Sequence, residues 1–182
     1  ALGLRQVGDV RPSPDGQWVA YVVTTRQVRP DEDVHRMDAN VWVVPTDGGD
    51  PIPLTRDPAT DRNPRWAPRG DWLLFTSDRG EHTQVYGIRP DGGEPWPVTD
   101  WDTPVSDYRI GPTGAHLAFT ATPTRSDAEE KRARRRGRPT VVDSAYASEY
   151  QLLWTAPLTS PTEIGPPMPR TDTVRPSSPD TR

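Results

Sequence analysis

The 182-residue chain has no cysteine, two phenylalanines, two methionines and three histidines. Without cysteine there is neither a disulfide framework nor a thiolate metal site. No apolar run approaches the roughly 18 to 20 residues that a membrane-crossing helix needs. The N-terminus lacks the charged, apolar, small-residue order of a secretory signal, although Ala1 in place of Met leaves room for a leader ahead of it. A cytoplasmic location is therefore the expectation. A net charge of −4 gives no reason to expect nucleic acid as the global partner. What the chain has in quantity is punctuation, with 23 prolines and 14 glycines, which favours many turns over long helices. Its 32% hydrophobic content suits one globular domain or part of a larger one.

The punctuation repeats. "RPSPDGQWVAYVV" at residues 11–23 returns as "RWAPRGDWLLFT" and again as "RIGPTGAHLAFT". Aligning Pro14, Pro68 and Pro112 brings Gly16, Gly70 and Gly114 into register without a gap. The same alignment superimposes Trp18, Trp72 and His116, then Val19, Leu73 and Leu117, then Tyr21, Phe75 and Phe119. Downstream, "DGGDPIPLT" at 47–55 matches "DGGEPWPVT" at 91–99, and both Gly48 to Gly92 and Pro68 to Pro112 span 44 residues. A period of about 40 to 45 residues is that of a four-stranded propeller blade.

Each unit reads as four short strands: one entering the Pro-x-Gly turn, an apolar run leaving it, a third such as "TQVYGIRP", and a fourth such as "PWPVT". The glycine supplies the positive φ of a tight antiparallel connection. The second strand is apolar at consecutive positions, so both its faces must be covered, as they are when blades stack around an axis. The predicted fold is thus all-β, a partial propeller of about three blades in an open ring, with blades near 9–55, 63–99 and 105–160. An immunoglobulin-like sandwich competes weakly, since sandwiches do not require an internal repeat in register. The first unit carries the polar insertion "RQVRPDEDVHRMD", and the third is broken by the long stretch from Arg125 to Gln151 before "LLWTAP". Residues 161–182, rich in Pro, Ser and Thr, are expected to be disordered.

The opening segment, the "DGG…LT" blade ends and the interrupted unit "EEKRARRRGRPTVVDSAYASEYQLLW" together resemble the N-terminal propeller of prolyl oligopeptidase family serine peptidases, in the acylaminoacyl-peptidase-like branch. The turn motif alone is shared with TolB-type propellers. The resemblance covers roughly residues 5 to 160. It implies a parent in which the propeller admits peptides, excludes folded proteins, and precedes an α/β-hydrolase domain with a G-x-S-x-G serine elbow. No G-x-S-x-G occurs here, so no catalytic residue is carried over, and the chain alone is expected to be inactive. Family members close a ring of about seven or eight blades, so the chain reads as a fragment or truncated product. Peptides and the parent's own hydrolase domain are the expected partners, with no nucleic acid, no membrane and no cofactor. The alternative is a TolB-like propeller serving protein interaction.

Candidate sites are few, and no substrate-binding residue is assigned. The basic run at residues 131–138 reads as a solvated insertion loop, preceded by Asp127, Glu129 and Glu130; a second reading lets its arginines meet peptide carboxylates. Arg11, Arg65 and Arg109 share one register on the predicted innermost strand. They read either as a basic ring around the central tunnel or, with more weight, as cations each paired to a nearby carboxylate. His116 aligns with two tryptophans and is expected to pack; His35 and His82 lie in loops, and no ligand spacing surrounds any of the three, so no metal site is expected. Asp15, Asp47 and Asp91 precede glycines in turns and are explained by turn chemistry.

Overall fold

The structure is a computed structural model that describes residues 5–27, 36–122, 151–160, 163–164 and 168–169. Each apolar run between turns becomes a strand, and among the described residues there is no helix. The first sheet has the order β1 (Arg5–Pro12), β2 (Trp18–Gln27), β3 (Arg36–Pro45) and β4 (Ile52–Pro53). The second follows the same order with β5 (Arg62–Trp66), β6 (Leu73–Ser77), β7 (Gln84–Arg89) and β8 (Gly92–Pro97). The third comprises β9 (Val105–Ile110), β10 (His116–Ala121) and β11 (Leu152–Ser160), with β12 (Glu163–Ile164) and β13 (Met168–Pro169) both paired to β11. Within each sheet the pairing is antiparallel, and it joins chain neighbours except where β13 pairs with β11.

The repeated turn is built identically three times. Gly16, Gly70 and Gly114 sit at φ of 72°, 77° and 75°, a left-handed conformation that costs a side-chain-bearing residue about 1–2 kcal/mol. Their amides donate to Ser13, Ala67 and Gly111 at 2.9–3.0 Å. The "LT" at the blade end is a latch. Thr55 and Thr99 each accept at Oγ1 from the amide of Val41 or Val85, and each donates to the amide oxygen of Asn40 or Gln84. One hydroxyl thereby satisfies a buried third-strand amide that the fourth strand leaves free. In the first sheet that fourth strand is two residues long, with Ile52 flanked by Pro51 and Pro53, which lack ladder donors and which only an edge strand tolerates.

The sheets stack face to face, and register tells which face meets which neighbour. Ala20, Val41 and Val43 of the first sheet pack against Leu73, Phe75 and Ile88 of the second. On its other face the second sheet offers Trp72, Leu74 and Val85 to Tyr108, Leu117, Phe119 and Trp154 of the third. The middle sheet is therefore covered on both sides, and every residue of β6 is buried. Among the described residues the outer sheets are covered on one side only, so β10 alternates between buried and more exposed positions. Equivalent positions make the contrast sharp: Val41 and Val85 are 0% exposed, whereas Leu153 on the free face of the third sheet is 56% exposed.

Two stretches differ from the sequence expectation in extent. The first strand begins at Arg5, four residues before the expected start of the first blade. In the stretch read as a disordered tail, Glu163–Ile164 and Met168–Pro169 are strands on the edges of β11; the rest of 161–182 lies outside the described residues, as do 28–35 and 123–150. No described helix is long and apolar enough to cross a membrane.

Candidate functional site

The first strands of the three sheets, β1, β5 and β9, are tied edge to edge. Trp66 donates its indole N–H to the Arg11 carbonyl at 2.8 Å, joining β5 to β1. Tyr108 donates its hydroxyl to the Asn63 carbonyl at 2.7 Å, joining β9 to β5. Asn63 Nδ2 reaches Asp107 Oδ1 at 3.4 Å across the same junction. These strands are the convergent inner edges of the stack.

On each inner strand the same tripeptide pattern recurs: Asp9-Val10-Arg11, Asn63-Pro64-Arg65 and Asp107-Tyr108-Arg109. A bulge interrupts the ladder between Gly8 and Arg11 and again between Arg62 and Arg65. At each bulge the Asx residue takes the left-handed conformation, with φ of 50° at Asp9 and 56° at Asn63. Asp and Asn tolerate this conformation better than other side-chain-bearing residues, which is why the repeat places them there. Bulges re-aim side chains: Asp9 comes back along its own strand to within 3.9 Å of Arg11, whereas Asn63 turns across the junction to Asp107.

The arginines are partnered unequally. Arg109 pairs with Asp107 at 2.6 Å, and Arg11 approaches Asp9 at 3.9 Å while donating to the Val10 carbonyl at 3.1 Å. Burial resists ionisation of Asp107, but the hydrogen bond and charge of Arg109 outweigh it and hold the carboxyl below the usual range. Arg65 is half-buried and has neither an ion-pair nor a hydrogen-bond partner among the described residues, and its Nε is buried without an acceptor. The reason is in the sequence: the middle repeat carries neutral Asn63 where its neighbours carry aspartate. Beside it, burial pushes the Tyr108 phenol well above the usual tyrosine range, with Arg65 the largest of the charges acting the other way.

The other expected sites are placed as follows. His116 is exposed rather than packed, because its position faces the side of the third sheet that no described sheet covers; its equivalent Trp72 is 7% exposed against that third sheet. His82 lines a cleft of about 610 Å³ together with Glu81, Tyr86, Asp100, Trp101 and Asp102. Asp15 accepts from the Ser13 hydroxyl and the Gln17 amide, closing the turn, and these bonds hold its carboxyl below the usual range. Asp47 and Asp91 lie at the turns before Gly48 and Gly92. Among the described residues no group of three or more His, Asp or Glu is arranged to hold a metal. His35 and the basic run 131–138 fall outside the described residues.

One cluster had no sequence counterpart. Arg79 binds both carboxylate oxygens of fully buried Asp61 at 3.1–3.2 Å, reaches Asp57 at 3.3 Å, and lies over the rings of Phe75 and Tyr86 at 5.5 and 4.9 Å. It clamps the second sheet to the segment arriving from the first. Asp61 has Val105 as its equivalent 44 residues later, so the repeat gave no signal for a charge there.

No protein-family model matches the chain. Over 81 residues it is 37% identical to "Uncharacterized peptidase YuxL" of Bacillus subtilis, a match covering 44% of this chain and 12% of that protein. Among solved structures, the acylaminoacyl peptidase of Pyrococcus horikoshii superposes with a TM-score of 0.61 at 13% identity, covering 92% of this chain and 26% of that one. The fold is an open β-propeller. The AtxE2 isopeptidase gives a TM-score of 0.61 at 18% identity over 94% of this chain and 31% of its own. A putative TolB from Agrobacterium tumefaciens gives 0.56 at 16% identity over 91% and 50%. The propeller chain thus spans half or less of each of these proteins. It resembles the propeller regions of prolyl oligopeptidase family peptidases and of TolB.

Proposed function

We propose that this propeller is the non-catalytic portion of a serine peptidase of the prolyl oligopeptidase kind, and that it gates peptides on their way to an α/β-hydrolase domain carried elsewhere in the parent protein. The observation that carries this reading is the 37% identity to a peptidase over 81 residues, since likeness at 12–19% identity speaks for fold alone. The absence of a G-x-S-x-G elbow from the sequence is what a gate without its own nucleophile requires. The chemistry of a gate is steric and electrostatic, and the arginine-bearing inner edges of β1, β5 and β9 are the surface that an extended peptide would meet.

The test is size selection in the parent. Short chromogenic peptides, unstructured peptides of about 30 residues and a folded protein bearing the same cleavable sequence are compared, before and after deletion of this propeller. The gate reading expects discrimination against the folded protein that disappears with the deletion; equal discrimination in both forms would refute it. The TolB-like interaction module is the second reading, prompted by the Pro-x-Gly turn motif of the repeat. A parent without hydrolase activity, retained by a protein partner through this domain, would establish that reading instead.

A further inference from the structure

We infer that Arg65, at the inner edge of the second sheet, is an anion site that takes the carboxylate of a peptide. Three observations carry it. Each inner strand presents an arginine in the same register, and the outer two have an aspartate two residues earlier on their own strand. The middle strand has Asn63 at that position, in the same left-handed conformation as Asp9, and its amide is turned to Asp107 instead. Arg65 is consequently left half-buried with no carboxylate partner, whereas Arg11, whose Nε is likewise buried without an acceptor, has Asp9 beside it.

A guanidinium is a planar fork of donors that matches a carboxylate in two parallel bonds. Partial burial strengthens such a pair, because the guanidinium has already lost part of its water. In the first and third strands the protein's own aspartate occupies that partner position; in the second the position is open to a ligand. That the carboxylate belongs to a peptide rests on the gating role proposed above, whereas the unpaired charge does not.

The experiment uses the 182-residue chain and follows the Arg65 Nε–H resonance by NMR, assigned by its loss in Arg65→Gln. Three probes are titrated: acetyl-Ala-Ala-Ala with a free carboxylate, the same peptide as its C-terminal amide, and acetyl-Ala-Glu-Ala amide. Saturable shifts are expected with a carboxylate probe, at least about tenfold tighter than with the uncharged amide. Which of the two acidic probes binds distinguishes a terminal from a side-chain carboxylate. Asn63→Asp supplies the missing partner at a position whose backbone already accepts aspartate in the first strand, and it should weaken binding about tenfold. Arg109→Gln, which removes a cation already paired, should change binding by less than about twofold. The site is refuted if the amide binds as well as the acids, if no acidic probe saturates, or if Asn63→Asp binds like the wild type. None of these outcomes bears on size selection in the parent, so the site and the gate fail separately.

Discussion

Phe75 and Tyr21 occupy equivalent positions in successive blades, and truncating each to alanine measures what radial stacking contributes. Phe75 is 0% exposed, stacked on Tyr86 with centroids 6.1 Å apart and roofed by Arg79. Tyr21 is only half-buried, because its face of the first sheet meets no described sheet. An aromatic buries about 150–250 Å², and at about 25 cal/mol per Å² full burial contributes about 4–6 kcal/mol before the alanine remnant is subtracted. Core Phe→Ala changes cost about 3–5 kcal/mol, and loss of the cation–π contact adds about 1. Tyr21→Ala, with half the area at stake and solvent to fill the gap, should cost about 1–2 kcal/mol. Urea unfolding followed by tryptophan fluorescence gives both values. Phe75→Leu, costing about 1–2 kcal/mol, replaces the alanine variant if that one is unfolded in buffer. Equal costs at the two positions, or a larger cost at Tyr21, would mean that the middle sheet is not sandwiched.

Three further outcomes follow from the junctions between sheets. Tyr108→Phe removes the hydroxyl bond to Asn63 and should cost about 1 kcal/mol at neutral pH in urea unfolding. The raised phenol of Tyr108 also sets an alkaline limit: its contribution is intact below the unfolded tyrosine value of about 10 and is lost as pH rises through the higher folded value, since only the unfolded chain releases the proton there. Tyr108→Phe should flatten that alkaline limb, and an unchanged limb would assign it to other groups. Arg79→Ala leaves Asp61, at 0% exposure, without its cation and should cost about 3–5 kcal/mol by the same assay, with lysine restoring only part because a single ammonium cannot replace the three guanidinium nitrogens that reach Asp61, Asp57 and Ser77. Gly87→Ala would put a Cβ 2.5 Å from the Trp96 ring; displacing that indole should cost about 1–3 kcal/mol and shift the tryptophan emission, whereas a neutral substitution would show the ring free to move.

Much of the fold was legible because the repeat is written in residues whose conformational reasons are local. Gly16, Gly70 and Gly114 announce a positive φ, and the apolar run at 72–75 announces a strand covered on both faces. The blade-end threonines were visible as pattern but not as latches, because their hydrogen bonds join residues about 14 apart in sequence. His116 was misjudged for a different reason. Alignment with Trp18 and Trp72 transfers a position, and packing also requires a neighbour, which the third sheet lacks on that face among the described residues. The arginine register was read correctly as a shared place, yet the decisive residue was Asn63, two positions earlier. Aligning Asp9, Asn63 and Asp107 would have exposed the missing carboxylate; what it could not show is that Asn63 turns across the junction to Asp107. The Arg79 clamp was invisible, since it breaks the repeat instead of following it.

The central claim, that this propeller serves a serine peptidase without supplying its nucleophile, is tested most directly by fluorophosphonate labelling read out by mass spectrometry. The 182-residue chain alone should take no label, and the parent should be labelled at one serine outside residues 1–182. A label on a serine within those residues, or a parent that takes none, would contradict the account.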